Sequence, residues 1–148
     1  SARDEKQAML AAALLQRLAD RAAADFQGRV VKSMGDAVIL VFDSAGSASR
    51  ALAAMHAGFG PGAAALGLPA LPLHSGAHYG EVTQTHDGDI YGQTVNIAAR
   101  LQSIAEAGRC VASAEFASAA ALGADEAKRL GARHLKNVPE PVECLELA

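Results

Sequence analysis

One run of six apolar residues limits what this chain can fold into. Residues 37–42, Ala-Val-Ile-Leu-Val-Phe, are apolar at every position, so a strand built from them has two apolar faces that both need cover. A strand-like run at residues 29–33 precedes it, and Met34-Gly35-Asp36 joins the two in a tight hairpin in which Gly35 allows a positive φ. We therefore expect residues 37–42 to form a central strand covered on both sides.

Two helices are predicted beside this hairpin. Residues 4 to about 24 form the first, and the second follows a cap at Asp43 or Ser44. Their predicted buried stripes are Leu10, Leu14 and Leu18 in the first helix and Ala48, Leu52 and Met55 in the second. Residues 58–69 are rich in Gly, Pro and Ala, which favours a loop.

The second half of the chain predicts more strands than helices. Strands are expected within residues 71–85, at 109–113, near 132–136 and near 142–147, with helices at about 92–105 and 114–122. This order indicates a single α+β domain over residues 1–148, with a mostly antiparallel sheet covered by helices. One more strand ahead of the first helix would complete the β-α-β-β-α-β unit of ferredoxin-like folds, so we expect that strand to be missing before residue 1.

Composition narrows the function classes. The net charge of −3 argues against nucleic acid or an anionic lipid surface as the main partner. No apolar stretch approaches the roughly 20 residues that a membrane span needs, so no membrane segment is expected in this chain. Cys110 and Cys144 lie in separate apolar runs and are interpreted as reduced core residues of a cytoplasmic protein.

Asp36 is the first candidate for chemistry. A carboxylate at the tip of a hairpin, beside Gly35, is exposed and held on rigid strands. That suits Mg²⁺, which takes one or two carboxylates together with substrate phosphates. Taken alone, the pattern is explained as well by the preference of Asp for turns.

A polar stripe on the helix after Gly92 is the second candidate. Ile97, Leu101 and Ile104 are expected to be buried, and Asn96, Arg100 and Ser103 repeat that spacing one residue earlier. An amide and a guanidinium one turn apart can point together at an anion, and Arg suits phosphate oxygens. A solvated polar face is the alternative.

Lys136 is the third candidate, near a predicted strand end, from which it could reach a triphosphate. An ordinary surface Lys on an edge strand is the alternative. His74, His78 and His86 lack a metal-ligand spacing and are interpreted as structural or surface residues.

Taken together, these motifs resemble the class III adenylyl/guanylyl cyclase catalytic domain over essentially the whole chain. Residues 28–36 resemble that family's second metal-site hairpin, and residues 73–82 its central strand. Residues 89–100, Asp-Ile-Tyr-Gly followed by Asn-x-x-x-Arg, resemble its substrate-binding segment, and residues 135–138 its closing lysine motif. The resemblance implies a ferredoxin-like nucleotidyl cyclase fold.

The resemblance also implies a role for each candidate. In the family two carboxylates hold two ions, Mg²⁺ or Mn²⁺, and the ribose 3′-hydroxyl attacks the α-phosphorus in line while pyrophosphate leaves. Asp36 matches the second of those carboxylates. Arg100 matches the residue that offsets charge on the α-phosphoryl group, Asn96 the one that orients the ribose, and Lys136 the contact to the terminal phosphates.

Lys32 and Asp89 match the pair that selects the base. Adenine offers an acceptor at N1 and a donor at its amino group, whereas lysine only donates and a carboxylate only accepts. The pair is therefore complementary to adenine, and ATP is the expected substrate.

The resemblance further implies a homodimer with two equivalent sites, because the family's metal carboxylates and its other site residues come from different subunits. The family's first metal carboxylate lies on the strand before the first helix, so these 148 residues alone are expected to be inactive. A catalytically silent cyclase-like module that binds nucleotide or only dimerises is the main alternative. An unrelated ferredoxin-like binding domain is the other.

Overall fold

The computed structural model describes residues 1–69 and 72–148, which form two compact units. The first unit comprises residues 1–43 and 47–73, and the second comprises residues 44–46 and 74–148. Residues 70 and 71 lie outside the described residues. The predicted strand region of residues 71–85 begins at the second of them. In the residues that are described, no helix is both long and apolar enough to cross a membrane.

The first unit holds two long helices and one hairpin. Its elements are α1 (Ala2–Asp25), β1 (Gly28–Met34), β2 (Ala37–Phe42) and α2 (Ala45–Ala65). The Ser1 hydroxyl oxygen accepts a hydrogen bond from the Asp4 backbone N–H at 3.3 Å, which caps the first turn of α1. The predicted first helix is confirmed to within two residues.

The core of the first unit lies between α1 and α2. Its buried members are Leu14, Leu15, Ala19, Ala22, Ala51, Met55, Phe59, Ala63 and Leu68. In the predicted stripes Leu14 and Met55 are correct, whereas Leu10, Leu18, Ala48 and Leu52 are only partly buried. The α2 stripe instead repeats every fourth residue from Ala51 to Ala63.

The loop predicted for residues 58–69 is wrong, because α2 continues through Pro61 to Ala65. Burial of Phe59 and Ala63 in the shared core offsets the low helix propensity of Gly and Pro. Gly62 also lets the helices approach, since a Cβ there would lie 2.8 Å from Leu14 Cδ1. Tertiary packing therefore overrides local preference in this segment.

The hairpin of β1 and β2 forms as predicted, with Gly35 at φ 63° between Met34 and Ala37. Among the strands of the described residues β2 pairs with β1 alone, so its predicted position as a central strand is wrong. One of its apolar faces is covered, because Val38, Leu40 and Phe42 pack against the core of α1 and α2, whereas Ala37, Ile39 and Val41 on the other face do not belong to that core.

The second unit contains the main sheet. Its elements are β3 (Ser75–Ala77), β4 (Thr83–Gln84), β5 (Ile90–Tyr91), α3 (Gln93–Ile104), β6 (Cys110–Ser113), α4 (Ala114–Ala119), β7 (Ala127–Arg133) and β8 (Val142–Leu147). The sheet order is β3-β6-β8-β7, in which β3 runs parallel to β6 and the other pairs are antiparallel. Strands β4 and β5 form a separate hairpin. The α+β class with a mostly antiparallel sheet is confirmed.

The core of the second unit joins α3 to this sheet. Its buried members are Leu101, Val111, Leu135, Val138, Val142 and Cys144. Ile104 is 39% exposed, so its predicted burial is wrong; α3 ends at that residue, and Ala105 packs on the core instead. Cys110 and Cys144 are buried free thiols, as predicted. Burial raises the pKa of Cys110 to about 11.

Candidate active site

The hairpin tip carries Lys32 and Asp36, and both side chains are exposed. Lys32 pairs with Ile39 directly after a bulge in β1, and Asp36 follows Gly35 in the turn. The tip is braced on α1, because the Ser33 hydroxyl donates a hydrogen bond to Gln16 Oε1. A rigid hairpin thus holds one carboxylate out into solvent.

Asp36 fits a hard cation that completes its shell with water and phosphate oxygens. Mg²⁺ binds through one or two carboxylates plus substrate phosphates, so a single exposed carboxylate on a rigid turn is a suitable partial site. Within residues 1–69 and 72–148 no three His, Cys, Asp or Glu side chains cluster as a metal site.

The turn before α3 fixes Asp89. Its backbone carbonyl accepts a hydrogen bond from the Thr85 N–H at 2.8 Å, and its Oδ1 accepts one from the Ile90 N–H at 2.8 Å. Hydrogen bonds from the Thr85 hydroxyl and the Asp89 N–H lower the pKa of Asp87 in the same turn. Asp89 is thus a partly buried carboxylate in a turn closed by its own hydrogen bonds.

Three glycines set the position of α3. Gly92 precedes the helix at φ 126° and ψ 179°, a conformation that essentially only glycine adopts. A Cβ on Gly76 would lie 2.2 Å from the Gln102 backbone N and 2.4 Å from the Ala98 carbonyl oxygen, so β3 touches the helix backbone directly. A Cβ on Gly80 would lie 2.6 Å from Thr94 Oγ1.

Asn96 and Arg100 lie one turn apart on α3. The Asn96 amide nitrogen donates to Gln93 Oε1 at 3.3 Å, and its side chain is exposed. Arg100 is partly buried, and within the part of the chain that the structure describes its guanidinium has no hydrogen-bond or ion-pair partner. A cation that the fold leaves unpaired at the margin of a core is suited to an anionic ligand.

Lys136 lies in a turn and not on a strand, because β7 ends at Arg133. The strand predicted near 132–136 is therefore displaced toward the N-terminus. The turn is closed by the Val138 N–H, which donates to the Leu135 carbonyl at 3.1 Å, and Asn137 has φ 64°. Leu135 and Val138 are buried in the cluster that includes Leu101, so the exposed Lys136 is anchored on the core beneath α3.

The second unit thus collects four of the six predicted site residues around α3. Asp89 lies at its entry, Asn96 and Arg100 on it, and Lys136 in the turn that shares its apolar cluster. Lys32 and Asp36 belong to the hairpin of the first unit. A cavity of about 730 Å³ beside β7 and β8 contains none of the six.

No protein-family model matches the sequence. A putative adenylate cyclase 3 from Rhizobium meliloti (strain 1021) is 38% identical over 85 residues, which is 55% of this chain and 14% of that protein. An adenylate/guanylate cyclase/hydrolase structure from Silicibacter pomeroyi is 26% identical, with a TM-score of 0.73 over 90% of this chain and 79% of that one.

The catalytic core of a rhodopsin-guanylyl cyclase with converted specificity, in complex with ATPαS, superposes with a TM-score of 0.79. It is 20% identical over 97% of this chain and 83% of that one. The chain has the class III nucleotidyl cyclase fold. The resemblance inferred from the sequence motifs is confirmed at the level of the fold.

Sequence reasoning missed residues that support the candidate site. Gly76 and Gly80 support α3, and Gln93 orients the Asn96 amide. His74 and His78, interpreted as structural or surface residues, bond to Gln102 and Ser113. The two glycines four residues apart were a signal for close backbone approach. Neither the Gln93 nor the His78 contact has a signal in the sequence.

Proposed function

We propose that this domain is the catalytic domain of an adenylyl cyclase, which converts ATP to 3′,5′-cyclic AMP and pyrophosphate at a homodimer interface. The observation that carries the proposal is the unpaired Arg100 guanidinium, one turn from Asn96, on a helix of a domain with the cyclase fold. A guanidinium offers planar, always charged donors that match phosphoryl oxygens, and the Asn96 amide lies one turn away to contact the same ligand.

The reaction needs positioning and charge compensation more than covalent chemistry by the protein. The ribose 3′-oxygen forms a bond to the α-phosphorus, the bond to the pyrophosphate oxygen breaks, and the 3′-hydroxyl proton is released. Asn96 orients the ribose, Arg100 offsets negative charge on the α-phosphoryl oxygens, and Lys136 binds the terminal phosphates. These roles follow from residue type and from the family resemblance.

Asp36 would hold Mg²⁺ or Mn²⁺, and the family pattern is two ions per site. The bound metal would lower the pKa of the attacking hydroxyl and neutralise phosphate charge. The carboxylate itself contributes a fixed negative charge on a braced hairpin. The sequence-based expectation that a second carboxylate lies ahead of Ser1, and that residues 1–148 are inactive by themselves, stays a prediction.

ATP is proposed over GTP because of Lys32 and Asp89. A lysine donates to adenine N1, and a carboxylate accepts from the 6-amino group, whereas guanine presents the opposite pattern at both positions. A mismatched polar group against the base costs about 1–3 kcal/mol. One related core is solved with ATPαS after its specificity was converted and another with GTP, so the choice of base rests on Lys32 and Asp89 and not on the fold. The two buried free thiols support a reducing, cytoplasmic location.

The test is product formation by the full-length natural protein. It is incubated with ATP or GTP and with Mg²⁺ or Mn²⁺, and cyclic nucleotide and pyrophosphate are quantified by chromatography. We expect cyclic AMP and pyrophosphate in equal amounts and a lower kcat/KM with GTP. Nucleotide binding without any cyclic product would instead favour the catalytically silent module.

A further inference from the structure

A half-buried histidine outside the proposed site connects β3 to α4. His78 directly follows β3, and the parallel register of β3 with β6, which ends at Ala77 opposite Ala112, continues by one residue to set His78 beside Ser113. His78 Nδ1 lies 2.6 Å from Ser113 Oγ. Ser113 has no exposed surface, so this short bond lies where water cannot replace it.

The hydrogen bonds of Ser113 favour one protonation state of His78. Ser113 Oγ already accepts the Phe116 backbone N–H at 3.1 Å as the N-cap of α4. Its hydroxyl proton is then free to donate, and His78 Nδ1 is the acceptor within reach. That assignment requires a neutral imidazole with its proton on Nε2. A protonated His78 would donate to Ser113 Oγ and leave the buried hydroxyl proton without this acceptor.

The segment that His78 anchors also supports α3. Gly76, two residues earlier, touches the α3 backbone, and Gly80, two residues later, lies against Thr94 in the first turn of α3. His78 is therefore central in the strip of chain on which the helix with Asn96 and Arg100 rests. Displacing this residue would move both glycine contacts.

Two features around His78 shift its pKa in opposite directions. Burial lowers the pKa of His78, and Glu115 in the first turn of α4 raises it, with burial the larger effect. Cys144 on β8 pairs with Ser113 in the sheet, and burial raises its pKa, which keeps that thiol neutral. The environment thus favours the neutral imidazole at neutral pH.

We propose that neutral His78 is a positioning residue, which through Ser113 fixes the β3 segment that supports α3 and so the placement of Asn96 and Arg100. The significance for catalysis rests on the proposed function, whereas the hydrogen-bond link itself does not. Because the folded-state pKa is depressed, the contribution of His78 to stability is present above pH 6.5 and is lost as pH falls through the folded pKa.

The test is an NMR titration of the whole chain without nucleotide, so its outcome is independent of turnover. Side-chain ¹⁵N shifts report the tautomer of His78, and the backbone amides of Phe116 and Asn96 report α4 and α3. We expect a neutral imidazole protonated on Nε2, a midpoint below 6.5, and the same midpoint in both amides.

Two substitutions at Ser113 distinguish the effect of the Ser113–His78 hydrogen bond on the His78 midpoint from the effect of burial. Ser113→Ala removes the donor to Nδ1, so the midpoint of His78 should rise and exchange of the Phe116 amide should quicken about fivefold. Ser113→Thr keeps the hydroxyl and should restore both values. The proposal is overturned if neutral His78 carries its proton on Nδ1, or if the Asn96 amide in the wild-type chain does not follow the His78 titration.

Discussion

Replacing Gly76 by Ala tests how α3 is held. The added Cβ would meet three backbone atoms, at 2.2 Å (Gln102 N), 2.4 Å (Ala98 O) and 2.8 Å (Leu101 C). Ordinary contact begins at 3.4 Å, so the helix must retreat by about 1.2 Å, and no side chain can rotate away to relieve the clash. Overpacking of this kind costs about 1–3 kcal/mol and occasionally more, and backbone neighbours place Gly76→Ala at the upper end.

The assay is thermal unfolding followed by circular dichroism, with Gly123→Ala as the matched control. Each kcal/mol shifts the Tm of a domain of this size by about 2–4 °C, so Gly76→Ala should lower the Tm by roughly 6–12 °C. Gly123 is exposed, has no positive φ, and its added Cβ would meet only the tips of the Asp125 and Glu126 side chains at 3.0 and 3.6 Å, so its replacement should change stability by less than about 0.5 kcal/mol. A Tm for Gly76→Ala equal to that of wild type would refute the close approach of β3 and α3.

Three further predictions concern individual side chains. Arg100→Ala should lower kcat about 10²–10³-fold in the full-length protein. The Tm should stay unchanged, since the described residues give the Arg100 guanidinium no hydrogen-bond or ion-pair partner. Full turnover by this variant would contradict the role assigned to Arg100. Lys32→Glu should shift the ratio of kcat/KM for ATP over GTP toward GTP by about tenfold, measured by product chromatography, and an unchanged ratio would contradict base selection by Lys32. Burial raises the pKa of Cys110 to about 11, so this thiol should be about a hundredfold less ionised at pH 8 than an ordinary thiol. A disulfide reagent should therefore modify Cys110 rapidly only after the protein unfolds. Fast modification of the native protein would contradict the burial of Cys110.

The parts of the fold that depend on local chemistry could be predicted from the sequence. The Gly35 hairpin forms because a positive φ is needed there, and α3 forms because its apolar positions repeat at helical spacing up to Leu101. The extension of α2 through Pro61 could not be predicted, because it depends on burial against α1. Strand β7 was displaced for a similar reason: its Lys- and Arg-rich sequence becomes a strand by pairing with β8.

The candidate site divides in the same way. The spacing of Asn96 and Arg100 predicted that they lie one turn apart on a helix. Their support by Gly76, Gly80 and His78 depends on contacts between distant parts of the chain. Lys136 was predicted as a site residue on the wrong element, since a turn closed by Leu135 and Val138 holds it. The candidate residues could therefore be selected from the sequence, whereas the contacts that hold them in place could not.

Mixing two inactive variants tests the central claim most directly. If Asp36 from one subunit and Arg100 from its partner serve the same triphosphate, then Asp36→Asn and Arg100→Ala should each be inactive as pure full-length proteins. Co-refolded in equal amounts, half of the dimers would be mixed, and each mixed dimer would keep one intact site of two. Cyclic AMP formation should then recover to about one quarter of the wild-type rate. A mixture that stays as inactive as its components would contradict the shared site.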